Sequence, residues 1–225
     1  IKKNQGHARC IATGLKYIFE NEEFNCVIPM DGDGEDRPEE IKNFVESINF
    51  SPDKAIVGER VKRTEKLIFK ICYKIHKALT YLSTGQSIKF GNYTCLPKLT
   101  VEKMINEKAT WSSFSGALQK VEKDKIEVPS ERGVRYFGPS KMSFLNLIKH
   151  SLSIISVFKF NVLIRSVLFL VVYLFLISEN ISNVTLIPFY LVILLNILTF
   201  YFSNRENINE FNNSLENINS VEQIK

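Results

Sequence analysis

Four cysteines in 225 residues, at positions 10, 26, 72 and 95, show no paired spacing. That scatter excludes a disulfide framework and a cysteine zinc site, and it points to a reducing compartment. Histidine is scarcer still. His7, His76 and His150 stand far apart without ligand spacing, so each reads as a surface or packing residue rather than a catalyst. No nucleic-acid recognition motif is present, although the net charge of +5 would permit such a partner. The chain opens at Ile1 with neither an initiator methionine nor a signal-like segment, while its first residues already read as part of a folded unit. The expectation is a fragment or processed product whose beginning lies upstream.

Charge is unevenly spread. Residues 1–160 carry 26 Lys and Arg against 19 Asp and Glu (+7), and residues 161–225 carry 3 against 5 (−2). A basic front half suits an anionic partner such as a phosphate or a lipid surface. The back half is where charge disappears. From Phe160 to Ser178 only Arg165 is charged, and from Val184 to Ser203 nothing is. At ~1.5 Å per residue each run spans ~30 Å, the thickness of a hydrocarbon core. A two-helix membrane hairpin over 160–203 follows, because the link "ENISN" is too short for a domain. Lys149, Lys159, Arg165 and Arg205 flank its outer ends and place them in the cytoplasm. The tail, 204–225, has seven asparagines and is expected to lack fixed structure for the most part; Ile208, Phe211, Leu215, Ile218 and Val221 nevertheless recur at the spacing of a surface-lying amphipathic helix.

In the front half, Ala8, Ile11, Ala12, Leu15 and Ile18 predict a helix ending near Asn21, and "FNCVIPM" predicts a short buried strand. Pro38, Glu39 and Glu40 suit the first turn of a helix running to Ile48, and "KAIVGER" reads as the next strand. Helix, strand, helix, strand implies an α/β layer with a mostly parallel sheet. Asp31 and Asp33 then fall at the carboxyl end of a strand, where such sheets gather ligands. Carboxylates this close repel one another and need a compensating cation. Mg2+ or Mn2+ fits, since hard cations take carboxylate oxygens together with substrate phosphates. Downstream, Arg63, Lys66, Lys70, Lys74 and Lys77 recur three or four residues apart on one face of a helix whose other face carries Leu67, Ile71, Ile75 and Leu79. That face is either solvated or a seat on an anionic membrane or lipid phosphate.

The blocks "NQGHARCIATGL", "DGDGEDRPEEI", "IVGER", "GNYTCLPK", "WSSFSGAL" and "RYFGPSKMSFLNLIKHSLSIISVF", ending in a membrane hairpin, resemble the family 2 glycosyltransferases. The similarity is to the membrane-attached group that includes dolichyl-phosphate mannose synthase and the bacterial polyprenyl-phosphate sugar transferases. The resemblance implies a GT-A, nucleotide-sugar-binding α/β domain whose opening strands precede Ile1. It implies Asp31 and Asp33, with Glu35 beside them, as ligands of the divalent metal on the donor diphosphate. Arg60 matches an arginine near the acceptor phosphate. Arg135, Ser140 and Lys141 of "RYFGPSK" match the R-x-x-G-x-S-K pattern and would bind donor or acceptor phosphates, with Lys70 on the basic helix as a further candidate. Asp36 is a candidate general base through its place beside the D-x-D pair.

The domain plan that follows is a partial GT-A domain (1–138), an interfacial amphipathic helix (139–159), the hairpin (160–203) and a polar cytoplasmic tail (204–225). The implied partners are a nucleotide-diphosphate sugar, a polyprenyl phosphate or a lipid-linked glycan, membrane lipid, and a second copy of the chain in a homo-oligomer; nucleic acid is not among them. Where the dolichyl-phosphate group has an acidic residue followed by G-F-R, this chain has Phe90 and Thr94. Both acceptor types therefore stay open, as does the alternative of a catalytically degenerate membrane protein that acts as a scaffold or handles lipid-linked sugars.

Overall fold

The computed structural model describes residues 1–62, 67–138 and 143–222; Ser140 and Lys141 lie outside them. The chain divides into two compact units, one built from residues 1–62, 88–138 and 206–222, the other from 67–87 and 143–205.

In the first unit α1 (His7–Asn21) precedes β1 (Cys26–Val27), and a 3-10 turn (Pro38–Glu40) leads into α2 (Ile41–Phe50) and β2 (Ala55–Lys62). Pro38 opens the turn and Glu39 and Glu40 lie in it, as the sequence predicts. After β3 (Phe90–Pro97) come α4 (Lys98–Ile105), a 3-10 turn (Lys108–Trp111), α5 (Phe114–Val121) and β4 (Lys125–Glu131). The four strands form one sheet in the order β1-β3-β2-β4.

That sheet is mixed, which corrects the expectation of a mostly parallel one. β3 runs antiparallel to both neighbours, with Val27 opposite Leu96 and Ile56 opposite Cys95, while β2 and β4 are parallel with Ile56 opposite Ile126. The reason lies in the connections. Strands that follow one another in the same direction need a crossover, which the chain between β1 and β2 supplies with α2. The helix between β2 and β3, α3 (Leu67–Thr84), belongs instead to the second unit, so the chain leaves the sheet after β2 and re-enters it in the opposite sense. β1, β2 and β4 nevertheless share one direction, and their carboxyl ends define one edge of the sheet.

The core forms because α2 turns its apolar stripe onto the sheet. Phe44 and Ile48 pack with Ile56, Tyr93 and Cys95, and Cys26, Ile28, Ile126 and Val128 close around them. Phe44 and Tyr93 hold their rings 4.6 Å apart, and the Tyr93 hydroxyl donates to the Arg37 carbonyl (2.6 Å). Burial pushes the Tyr93 hydroxyl up to about 12, so at neutral pH it keeps its proton and its donor role. A second, smaller core joins Ala12, Trp111 and Phe211. Phe211 belongs to α9 (Ile208–Asn212), which a 3-10 turn (Ser214–Asn217) follows. The tail thus has fixed structure as far as Asn217, against expectation, because one of its few apolar residues finds a place between α1 and Trp111.

The second unit holds α3, α6 (Phe144–Ser156), α7 (Lys159–Leu176) and α8 (Ile187–Ser203). Lys159–Leu176 (α7) and Ile187–Asn212, which begins with α8, are long and apolar enough to cross a membrane, and their apolar windows are almost unburied, at 6% and 11%. The core helix of a soluble protein would be mostly covered, and these are not, which suits membrane helices. Asn196 of α8 donates to Ser166 of α7 (2.8 Å), and the Tyr173 hydroxyl donates to the Thr185 carbonyl (2.7 Å). Such bonds hold two helices together where burial of apolar area gives no drive.

Replacing Phe44 with alanine empties the centre of the main core, since its side chain is fully buried. The expected loss is ~3–5 kcal/mol, read as a lower thermal midpoint of the detergent-solubilised chain; an unchanged midpoint would mean that α2 does not pack on this sheet.

Candidate active site

Asp31–Asp36 forms a loop just past β1, at the carboxyl edge of the sheet. It turns on Gly32 and Gly34, and Gly34 has a φ of +89°, a conformation that other residues rarely adopt. The segment after β4 runs alongside. Gly133 donates its backbone N–H to the Glu35 carbonyl (2.9 Å), and Tyr136 donates to the Asp33 carbonyl (2.9 Å). The approach is close enough that a Cβ on Gly133 would overlap the Gly34 carbonyl oxygen, and one on Gly34 would press into the Tyr136 ring.

Charges settle in pairs along this contact. Glu35 accepts hydrogen bonds from Arg132 and from Arg135 Nε, the latter at 2.8 Å. Arg135 Nη2 also reaches Asp33 (2.9 Å), so one guanidinium bridges two carboxylates. Asp33 accepts in addition from the Glu35 N–H (3.0 Å). Asp31 pairs with His7 Nε2 at 2.8 Å. Its hydrogen bond to His7 holds the Asp31 carboxyl below its ordinary range against the opposing effect of burial, with Arg60 and Arg132 adding to the shift. The same bond raises His7.

Asp36 is different. It is 6% exposed, accepts from the Asp31 N–H (3.0 Å), and is raised, chiefly by burial. Glu40 anchors the far end of the loop by accepting from the Ser130 hydroxyl (2.7 Å) and the Glu131 N–H (2.8 Å) at the end of β4.

The structure therefore brings Asp31, Asp33, Glu35, Asp36 and Arg135 together at one sheet edge. Arg60, half-buried near the end of β2, joins them through its charge, which favours the ionised forms of Asp31 and Asp36. Lys70 lies on α3 in the second unit, and its side chain, like Ser140 and Lys141, falls outside the described residues. Sequence reasoning missed His7, Arg132 and Glu40. Arg132 stands three residues before Arg135 in a block already singled out. Glu40 looked like a helix-dipole residue, and His7 carried no signal beyond opening α1.

Among the described residues no group of three His, Cys, Asp or Glu side chains is arranged to hold a metal, but Mg2+ commonly takes only one or two carboxylates together with substrate phosphates. Asp31 and Asp33 are the two carboxylates with one cationic partner each, His7 and Arg135, whereas Glu35 is engaged by both arginines.

No family model matches the chain, and no solved structure matches it. It is similar to the undecaprenyl-phosphate 4-deoxy-4-formamido-L-arabinose transferases of Klebsiella pneumoniae (strain 342) and Salmonella newport (strain SL254), each 26% identical over 155 residues. The match covers 66% of this chain, which spans only 44% of the length of those relatives. These matches bear out the resemblance to the membrane-attached polyprenyl-phosphate sugar transferases of family 2.

Two outcomes follow from the geometry. Gly133→Ala should lower stability by ~1–3 kcal/mol, because the atom its Cβ meets is a fixed backbone oxygen; a melting curve like that of the unchanged protein would count against the loop contact. The His7–Asp31 pair should also leave a pH signature. His7 is raised above 6.5 and Asp31 lowered below 3.8. The His7 contribution is therefore complete below its ordinary value and lost as pH rises through the folded one; the Asp31 contribution is complete above its ordinary value and lost as pH falls through the folded one. The thermal midpoint of the unchanged protein should exceed that of His7→Ala most at about pH 5–6 and converge on it towards about pH 9. A constant difference across that range would exclude the pair.

Proposed function

We propose that this chain is part of a membrane glycosyltransferase that moves a sugar from a nucleotide-diphosphate sugar to a polyprenyl phosphate or another lipid-linked acceptor. The observation that carries the reading is the cluster of Asp31, Asp33, Arg132 and Arg135 at the carboxyl edge of the sheet, in a chain similar to enzymes named for transfer to undecaprenyl phosphate. In this reading the first unit is the greater part of a GT-A domain.

Asp31 and Asp33 would hold Mg2+ or Mn2+, whose chemistry is to offset charge on the donor diphosphate. Arg135, already oriented by Glu35 and Asp33, and Arg132 beside it face the same diphosphate, where negative charge builds as it departs. Arg60 serves the acceptor phosphate, and the resemblance adds Ser140 and Lys141 as ligands of donor or acceptor phosphates. The bond from the anomeric carbon to the diphosphate oxygen breaks as the acceptor oxygen attacks from the opposite face, which inverts the configuration. A phosphate acceptor is already ionised and needs no base. A glycan hydroxyl does, and Asp36, raised by burial, suits that role.

α7 and α8 cross the bilayer in this reading, α6 lies at its interface, and Lys149, Lys159, Arg165 and Arg205 hold both outer ends in the cytoplasm. One observation keeps the second reading alive. Phe90 and Thr94, which stand where the resemblance expects an acid and an arginine, are buried in β3. Those positions serve the core here, as a degenerate, non-catalytic domain would allow.

The deciding experiment uses the longest natural form of the protein in membranes with Mg2+, undecaprenyl phosphate and a panel of nucleotide sugars. Transfer should occur and Asp33→Ala should reduce it by ~10²-fold or more. Undiminished turnover in Asp33→Ala rejects the metal role, and absence of both transfer and donor hydrolysis supports the scaffold.

A further inference from the structure

The residues after the second membrane-length helix do not trail away from the molecule. Phe211 is 0% exposed and lies stacked on Trp111, which is 1% exposed, with ring centroids 5.5 Å apart. Glu210 accepts from Trp111 Nε1 (3.0 Å) and pairs with Arg9 (3.1 Å), whose guanidinium lies over the indole at 5.0 Å. Lys16 donates to the Asn212 carbonyl (2.7 Å), and Lys2 bonds the carbonyls of Asn217 and Glu216 through its backbone and its amine. These contacts fall on α1 or beside it, on both sides of His7, and His7 holds Asp31.

We propose that residues 206–217 are a return strap, which completes the first unit from the far side of the hairpin and fixes α1 where His7 meets the acidic loop. Two consequences distinguish a strap from an incidental tail. The face of α1 and Trp111 that it covers stays open until the chain beyond α8 has been made. Further, one folded unit containing residues on both sides of the hairpin requires an even number of membrane crossings between them. A single crossing would leave the strap on the wrong side of the bilayer. Charge complementarity supports the pairing: Lys2, Arg9 and Lys16 lie on the α1 side, and Glu210 with exposed carbonyl oxygens lies on the strap. The inference rests on the packing and does not depend on the transferase reading.

Trp111 is the single tryptophan of the chain, so its fluorescence reads strap docking directly. In the full 225-residue chain in lipid vesicles, emission should be blue-shifted and acrylamide quenching weak. Phe211→Ala should shift emission to the red and raise quenching several-fold. Glu210→Ala should fall between the two, and Val221→Ala, beyond the strap, should match the unchanged protein. Unchanged emission and quenching in Phe211→Ala overturns the proposal. Should that variant not fold, strong quenching of Trp111 in the unchanged protein overturns it equally. The crossing requirement is tested by Leu191→Arg combined with Leu194→Arg, which makes insertion of α8 unfavourable. In molecules where α7 still crosses and α8 does not, Trp111 should become as accessible as in Phe211→Ala, and a Trp111 that stays shielded in those molecules refutes the coupling.

Discussion

Mutual repulsion among carboxylates is the constraint around which the sheet edge is built. Asp31, Asp33, Glu35, Asp36, Glu39 and Glu40 fall within ten residues. Two like charges ~4 Å apart cost on the order of 1 kcal/mol in water and ~4 kcal/mol near a protein surface, so several together exceed what a short loop can absorb. The structure meets each charge separately. His7 takes Asp31, Arg135 bridges Asp33 and Glu35, Arg132 joins Glu35, the Asp31 N–H donates to Asp36, and backbone and hydroxyl donors satisfy Glu40. Only Glu39 is left to the surface, near Arg37. Because the arginines arrive from beyond β4 and the histidine from the start of α1, solving the charge problem also fixes where those segments lie.

That dependence explains why the site survives a departure in the sheet. A mostly parallel sheet would place ligands at its carboxyl edge through uniform strand direction. Here β3 is inserted antiparallel, yet β1, β2 and β4 still point the same way, and they are the strands that deliver the acidic loop, Arg60 and the Arg132–Arg135 segment. The reversed strand brings its amino end to the same edge, where Asn92 lies 3.4 Å from the His7 ring.

Local signals carried what was legible in the sequence. The spacing of Ala8, Ile11, Ala12 and Leu15 marked α1, Pro38 with two glutamates marked the turn into α2, and two apolar runs marked α7 and α8, each recovered to within a few residues. The acidic loop was visible as a candidate site because it follows a short apolar strand. What escaped depends on pairing between distant segments. Strand direction across β2 and β3 is set by which unit the intervening helix joins, and no residue of α3 states that. Glu40 reads as a dipole residue until Ser130 and Glu131 stand opposite it. The tail is polar enough to look unstructured, and a single phenylalanine reverses this because its partner, Trp111, lies 100 positions earlier.

The pairing of charges also constrains how a ligand could enter. Asp31, Asp33 and Glu35 face Arg132, Arg135 and His7, which leaves the edge close to neutral when His7 is protonated. A diphosphate arriving alone would compete with Asp33 and Glu35 for the guanidiniums and expose carboxylates to its own charge. A divalent cation arriving alone would have to displace Arg135 from Asp33 and His7 from Asp31, leaving cations without partners. In the proposed reading the two charges would cancel on entering together: Asp31 and Asp33 would take the cation in place of His7 and Arg135, and Arg135 would be left to pair with a phosphate. Glu35, paired with both Arg132 and Arg135, would keep the two guanidiniums at this edge. In the proposed reading it is therefore a holder of the anion-binding arginines, and the pair held by His7 and Arg135 is the pair free to take a metal.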